Sequence, residues 1–170
     1  MRTFTRTTLA TTAVAALLTA ASVGVAHAAP AGGQQAFQLH YNSQVSDQLS
    51  QVIGHGPIAG VGTDVEDMDD NGGQAVFTFP NGSVVVDVSS AGETMDLNLN
   101  ACHAVVTLAG DWTIDHGTGA YAGATGEGTY SGTRTIFGTR IKGVCQGPDS
   151  GVEPRMETSD VLLDGSVSLG

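Results

Sequence analysis

Gly117–Tyr130 reads GTGAYAGATGEGTY. A glycine recurs every few residues, and Tyr121 and Tyr130 stand as aromatic anchors. Such spacing suits a backbone that bends and coils tightly. Runs with strand character flank it. Trp112 and Ile114 alternate before it, with Gly110 marking a bulge or a turn. After it, Gly126–Cys145 reads as one long bent strand or two paired ones.

Further out, Ala75, Phe77 and Phe79 alternate up to Pro80, and Val84, Val86 and Val88 alternate on the way back. Asn81-Gly82 between them is a hairpin signal, and a two-residue loop there pairs Phe79 with Val84, Phe77 with Val86 and Ala75 with Val88. Phe37, Leu39 and Tyr41 alternate in a first strand. Ser43–Ile53 suits a short helix or an irregular strand. Ile58–Glu66 is a strand with Val61, Thr63 and Val65 on one side, and Met95–Thr107 is another strand. Gln146–Glu157 is a loop, and Val161, Leu163, Gly165, Val167 and Leu169 alternate in a closing strand. Roughly eight to ten strands without a long helical pattern mean an all-β protein. Closing the sheet into an antiparallel barrel hides its edges, and a β-sandwich is the alternative.

The first residues have another purpose. Arg2 and Arg6 precede an uncharged apolar run, Leu9–Val25, and Ala26-His27-Ala28 is an A-x-A cleavage pattern. Residues 1–28 are therefore expected to be a secretory signal peptide, 29–35 a disordered lead-in and 36–170 a single barrel domain. The chain of 170 residues holds 6 Lys and Arg against 17 Asp and Glu, a net charge of −11 that becomes −13 without Arg2 and Arg6. Nucleic acids and anionic membranes are poor partners for such a surface. Cys102 and Cys145, 43 positions apart, suit one disulfide in an exported chain.

Gly117–Ala124 with Gly126–Tyr130 resembles the G-T-G-x-[FY]-x-G-A-x-G-x-G-x-[FY] signature of the dirigent and allene oxide cyclase barrel group. The chain is also similar to small secreted actinobacterial proteins with that signature, a G-T-D strand as at Gly62-Thr63-Asp64, and an F-P-x-G hairpin as at Phe79-Pro80-Asn81-Gly82. The resemblance implies an antiparallel eight-stranded, calycin-like or dirigent-like barrel, often a homo-oligomer, with an internal pocket. In the plant members that pocket steers cyclisation or radical coupling of apolar substrates. The signature is a backbone device, so it speaks to fold more than to chemistry.

Three constellations are candidates for chemistry. Asp67-Met68-Asp69-Asp70-Asn71-Gly72 opens like a calcium loop, with Thr78 where the last ligand should be glutamate. A loose calcium site would use Asp64, Asp67, Asp69 and Asn71, and no other cofactor is implied. The alternative is a solvated hairpin loop. Tyr130, Arg134, Arg140 and Lys142 share one parity, so on a regular strand they face one way. They form either a lumenal patch for a small anionic head or an outer face paired with surface acids. A bulge at Gly138 would break that parity. Trp112 either lines the lumen beside Tyr130, Arg134 and Arg140 as a ligand contact or plugs the core. His40, His55, His103 and His116 form no zinc motif.

Three functions are compatible with this reading. A secreted barrel binds a small, mostly apolar molecule in its lumen. A cyclase or isomerase uses the same lumen, with Arg134 or Arg140 and an acid such as Asp87 or Asp111 inside. A structural or interaction protein has a filled barrel and an exposed apolar patch.

Overall fold

The computed structural model describes residues 32–46, 49–69, 71–147 and 150–170. The expected signal peptide, residues 1–28, lies outside them. The strands are β1 Gly32–Asn42, β2 Ser50–His55, β3 Gly60–Asp69, β4 Gly72–Phe79, β5 Gly82–Asn98, β6 His103–Gly117, β7 Thr125–Phe137, β8 Arg140–Ile141, β9 Val144–Cys145 and β10 Met156–Ser168. Eight of them close an antiparallel barrel in the order β1-β10-β7-β6-β5-β4-β3-β2, and β8 and β9 form a separate ribbon. Each barrel strand pairs with its neighbours along the chain, and β1 and β10 complete the ring from Gly32↔Ser168 to Asn42↔Thr158. Closure leaves the barrel strands without the long free edges of an open sheet.

β1 starts earlier than the sequence suggests. The expected lead-in over 29–35 overlaps it, because Gln35 is buried and ties two segments together. Its amide nitrogen donates to the Ile58 carbonyl at 2.9 Å, and its amide oxygen accepts from the Ile58 N–H at 2.9 Å. A polar side chain satisfied in this way orders a stretch that composition alone leaves loose.

The β4–β5 hairpin forms with a shifted register. Phe79 lies opposite Gly82, Phe77 opposite Val84 and Ala75 opposite Val86. The loop residues are Pro80 and Asn81, not Asn81 and Gly82. Proline has its φ preset for the first central position of a turn, and Asn81 is not left-handed, so the expected turn does not form. Moving the partners by an even number keeps both faces, so the same side chains point inward.

The glycine stretch closes one end of this barrel. After β6 the chain makes a single 3₁₀ turn, Gly119–Tyr121, and docks on the β4–β5 loop. Thr118 N–H donates to the Ser83 carbonyl and Ala120 N–H to the Asn81 carbonyl, both at 2.8 Å. Gly119 adopts φ 60° where it meets the Asn81 carbonyl, a conformation and an approach that suit glycine. Tyr121 then lies 6.0 Å from Phe79, ring edge to face, and seals the end.

Trp112, Phe37, Phe77 and Phe79 fill the lumen above this seal. Phe37 is 5.1 Å from Phe77 and 5.9 Å from Trp112 between ring centroids. Trp112 is thus a core plug, its indole N–H directed to the Asp164 carbonyl at 3.3 Å. Inward-facing glycines make room for it: a methyl at Gly165 would sit 2.7 Å from Trp112 Cζ2.

At the other end β5 and β6 run on past β4. The predicted strand over Met95–Thr107 divides into the end of β5 and the start of β6, joined by a turn in which Asn98 Oδ1 accepts from Ala101 N–H at 2.9 Å. The sequence irregularity at Gly110 lies opposite a register shift between Ser90 and Gly92 of β5. Cys102 and Cys145 are disulfide-bonded, with Cα atoms 5.4 Å apart, and pin the β8–β9 ribbon to this end. Among the described residues no helix is long and apolar enough to cross a membrane.

Candidate functional site

The lumen is filled at one end and open at the other. A cavity of about 610 Å³ occupies the open half. Leu39, Ala75, Phe77, Val161 and Leu163 give it apolar walls, and Tyr130, Arg134, Glu157, Glu66 and Glu93 bring polar groups into it. The apolar residues come from β1, β4 and β10, whose inward positions are set by the barrel register. The polar ones come from the ends of β3, β5, β7 and β10, where the core no longer reaches.

β7 delivers Tyr130 and Arg134 two turns of the pleat apart on its inward face. Arg134 Nε donates to Glu157 Oε1 at 2.6 Å. Burial alone would lower the guanidinium's pKa, but the Glu157 hydrogen bond and the charges of Glu157, Glu93 and Glu66 leave it raised. Burial pushes the Tyr130 phenol up, opposed by a hydrogen bond with Ser90. Arg134 and Glu157 also border a smaller cavity of about 370 Å³ beneath the segment that follows β7, next to the disulfide.

The most perturbed group is Asp64. It is fully buried on the inward face of β3, between Ser50 of β2 and Phe77 of β4. Apart from the Glu66 carboxyl, neither carboxylate oxygen has a hydrogen-bond partner. Its pKa is raised from 3.8 to about 9, first by burial, then by the negative charge of Glu66, the next inward residue, and by a hydrogen bond with its carboxyl. Asp64 is therefore a neutral acid at physiological pH.

The predicted site residues divide accordingly. Tyr130 and Arg134 share the cavity, while Trp112 belongs to the packed half. Arg140 does not join them. The chain leaves the barrel at Gly138, and Arg140 sits exposed on β8, donating to the Gly143 carbonyl at 3.1 Å and the Asn100 carbonyl at 2.5 Å. Lys142 lies beyond it in the β8–β9 turn with φ 50°. Asp87 and Asp111 point outward, and Asp87 accepts from the Gln74 amide at 2.9 Å.

The calcium residues are not gathered either. Asp64 faces the lumen, Asp67 has the opposite parity, and Asp69 Oδ1 caps the turn by accepting from Asn71 N–H at 2.8 Å. Among the described residues no three His, Cys, Asp or Glu side chains converge as a metal site. His40 and His116 pair with Asp160 and Asp115, each at 2.7 Å, away from the cavity.

Sequence reasoning missed Glu66, Glu93 and Glu157 as lumenal groups and offered Asp64 as a calcium ligand. The signal was present in part: Asp64 and Glu66 are two apart on a strand, so they share a face once the strand is paired. Comparison with family models, curated proteins and solved structures returns no match.

Proposed function

We propose that this chain is an exported binding protein whose barrel holds one small, mostly apolar molecule. The observation that carries this reading is the half-filled lumen. Its cavity of about 610 Å³ is of the size that takes a small ligand, and it combines apolar walls with a few polar groups. The A-x-A site, the disulfide and the acidic surface support export. Native mass spectrometry of the secreted protein tests this. A small-molecule adduct lost on denaturation is expected, with a mass that fits cleavage after Ala28 and loss of two protons at Cys102 and Cys145. An empty protein that stays empty with neutral, cationic and anionic apolar compounds would overturn it.

A catalytic reading has one observation in its favour: the neutral acid Asp64 lies beside a cavity that also holds Tyr130 and Arg134. Together with the dirigent and allene oxide cyclase resemblance, that supports a cyclase or isomerase. Turnover lost in Asp64→Asn with ligand affinity retained would favour it over binding alone.

A further inference from the structure

We propose that the lumen selects a molecule carrying a protonated amine on an apolar body, the amine being held by the Asp64–Glu66 carboxyl pair. This deepens the binding reading and rests on it.

The charged groups that line the cavity come from four strands. β3 supplies Glu66 and Asp69, with Asp64 buried next to Glu66 on the same inward face, β5 supplies Glu93, β7 supplies Tyr130 and Arg134, and β10 supplies Glu157. β1 and β2 offer only the hydroxyls of Tyr41 and Ser50, and β4 and β6 bring only uncharged residues. Arg134 is the sole cation among the described residues that line the cavity, and Glu157 already holds it at 2.6 Å. What is left over is negative. A carboxylate, phenolate or enolate head would enter against Glu66 and Glu93, and the one cation it could meet is already shared with Glu157.

Asp64 locates the head within that field. Ser50, Phe77 and Glu66, its neighbours on β2, β4 and β3, all line the cavity. Asp64 therefore marks the boundary between packed core and open space. It has no exposed surface, and apart from the Glu66 carboxyl neither of its oxygens has a partner. A buried carboxyl whose one partner is another acid is costly, and a cationic donor that reaches the pair recovers that cost. An ammonium brings three donors and one positive charge, which two carboxylates and the Ser50 hydroxyl can receive. A calcium ion asks for six to eight oxygens, and the residues here do not gather that many.

The proton balance follows. Without ligand Asp64 keeps its proton, since burial and Glu66 raise its pKa. An ammonium beside it favours the carboxylate, so the Asp64 proton leaves to solvent as the cation binds. No covalent bond forms or breaks in the ligand.

Isothermal titration calorimetry with n-octylammonium, 1-octanol and octanoate tests this at about pH 7, in phosphate and in Tris to count protons. Alkylammonium stays charged there, as lysine does. The expected result is octylammonium binding at least about tenfold tighter than octanoate, with roughly one proton released. Asp64→Asn should remove the proton release and weaken octylammonium by about tenfold or more, leaving octanol within about twofold. Glu66→Gln should weaken octylammonium likewise, and serves alone if the Asp64 variant does not fold. Octanoate binding as tightly as octylammonium, or variants that change neither affinity nor proton release, would overturn the proposal while the binding reading stands. Failure of all three probes, octanol included, would overturn both.

Discussion

Asp64→Asn removes a titratable group with little change of shape, and its effect on stability can be worked out from burial. In the folded protein Asp64 holds its proton up to about pH 9, whereas in the unfolded chain it is lost near 3.8. Between those values the folded state binds more protons than the unfolded one, so this group makes stability fall as pH rises. The stabilisation is full below the unfolded pKa and is lost on the way up to the folded one. From pH 5 to pH 8 the loss is three units at about 1.4 kcal/mol each, or ~4 kcal/mol, on the order of 10 °C in Tm. Urea unfolding followed by fluorescence of Trp112 measures it across that range in both proteins. Asparagine leaves its own buried amide unsatisfied, so absolute stability is not the readout. The readout is the difference between the two curves, which should grow with pH in favour of Asp64→Asn. Parallel curves would refute the reasoning, because they would mean that Asp64 titrates alike in folded and unfolded chains.

Three further outcomes test the packing. Trp112 is 1% exposed, so Trp112→Ala should cost about 3–5 kcal/mol in urea unfolding, measured by circular dichroism because the variant has no tryptophan. Gly165→Ala should cost about 1–3 kcal/mol or more, because its Cβ would lie 2.7 Å from Trp112 Cζ2 and closer still to the Glu127 carbonyl oxygen, and adding Trp112→Phe should recover only the part due to the ring. Replacing Cys102 and Cys145 together by serine removes a closure of 43 residues and should cost up to about 4 kcal/mol by calorimetry, with the far-ultraviolet spectrum of the barrel retained.

The architecture was legible where side chains alternate and turns have their own chemistry. Strands at Phe37–Tyr41, Ala75–Phe79, Val84–Val88 and Val161–Val167 lie where the alternation places them. The eight-stranded closure follows from many short strands that must hide their edges. The hairpin register was not legible because two turn signals overlap, Pro80-Asn81 and Asn81-Gly82, and the proline prevailed. The cationic stripe was not legible because parity holds only while a strand is regular. At Gly138 the chain leaves the sheet, so Arg134 enters the lumen and Arg140 does not. The lumenal acids were hidden for a related reason. Glu157 lay in a presumed loop, and β3 presents its valines to solvent and its acids to the interior.

That inversion on β3 has a packing cause. Val61 and Val65 are 56% and 48% exposed, while Asp64 between them is fully buried. A one-residue slip would bury both valines and release the acid, and on hydrophobicity alone it should win. Gly62 blocks it. A Cβ at that position would lie 3.0 Å from the Phe79 ring and closer still to the Thr78 carbonyl. Only glycine can face inward opposite Phe79, and Phe79 is held in place by Tyr121 at the sealed end. The even face of β3 therefore turns inward, and Asp64 and Glu66 are carried in behind Gly62. A barrel that only needed stability could carry threonine or valine at those two inward positions. Keeping two carboxyl groups there breaks the local rule beside the open half of the lumen, where departures from packing logic accompany function.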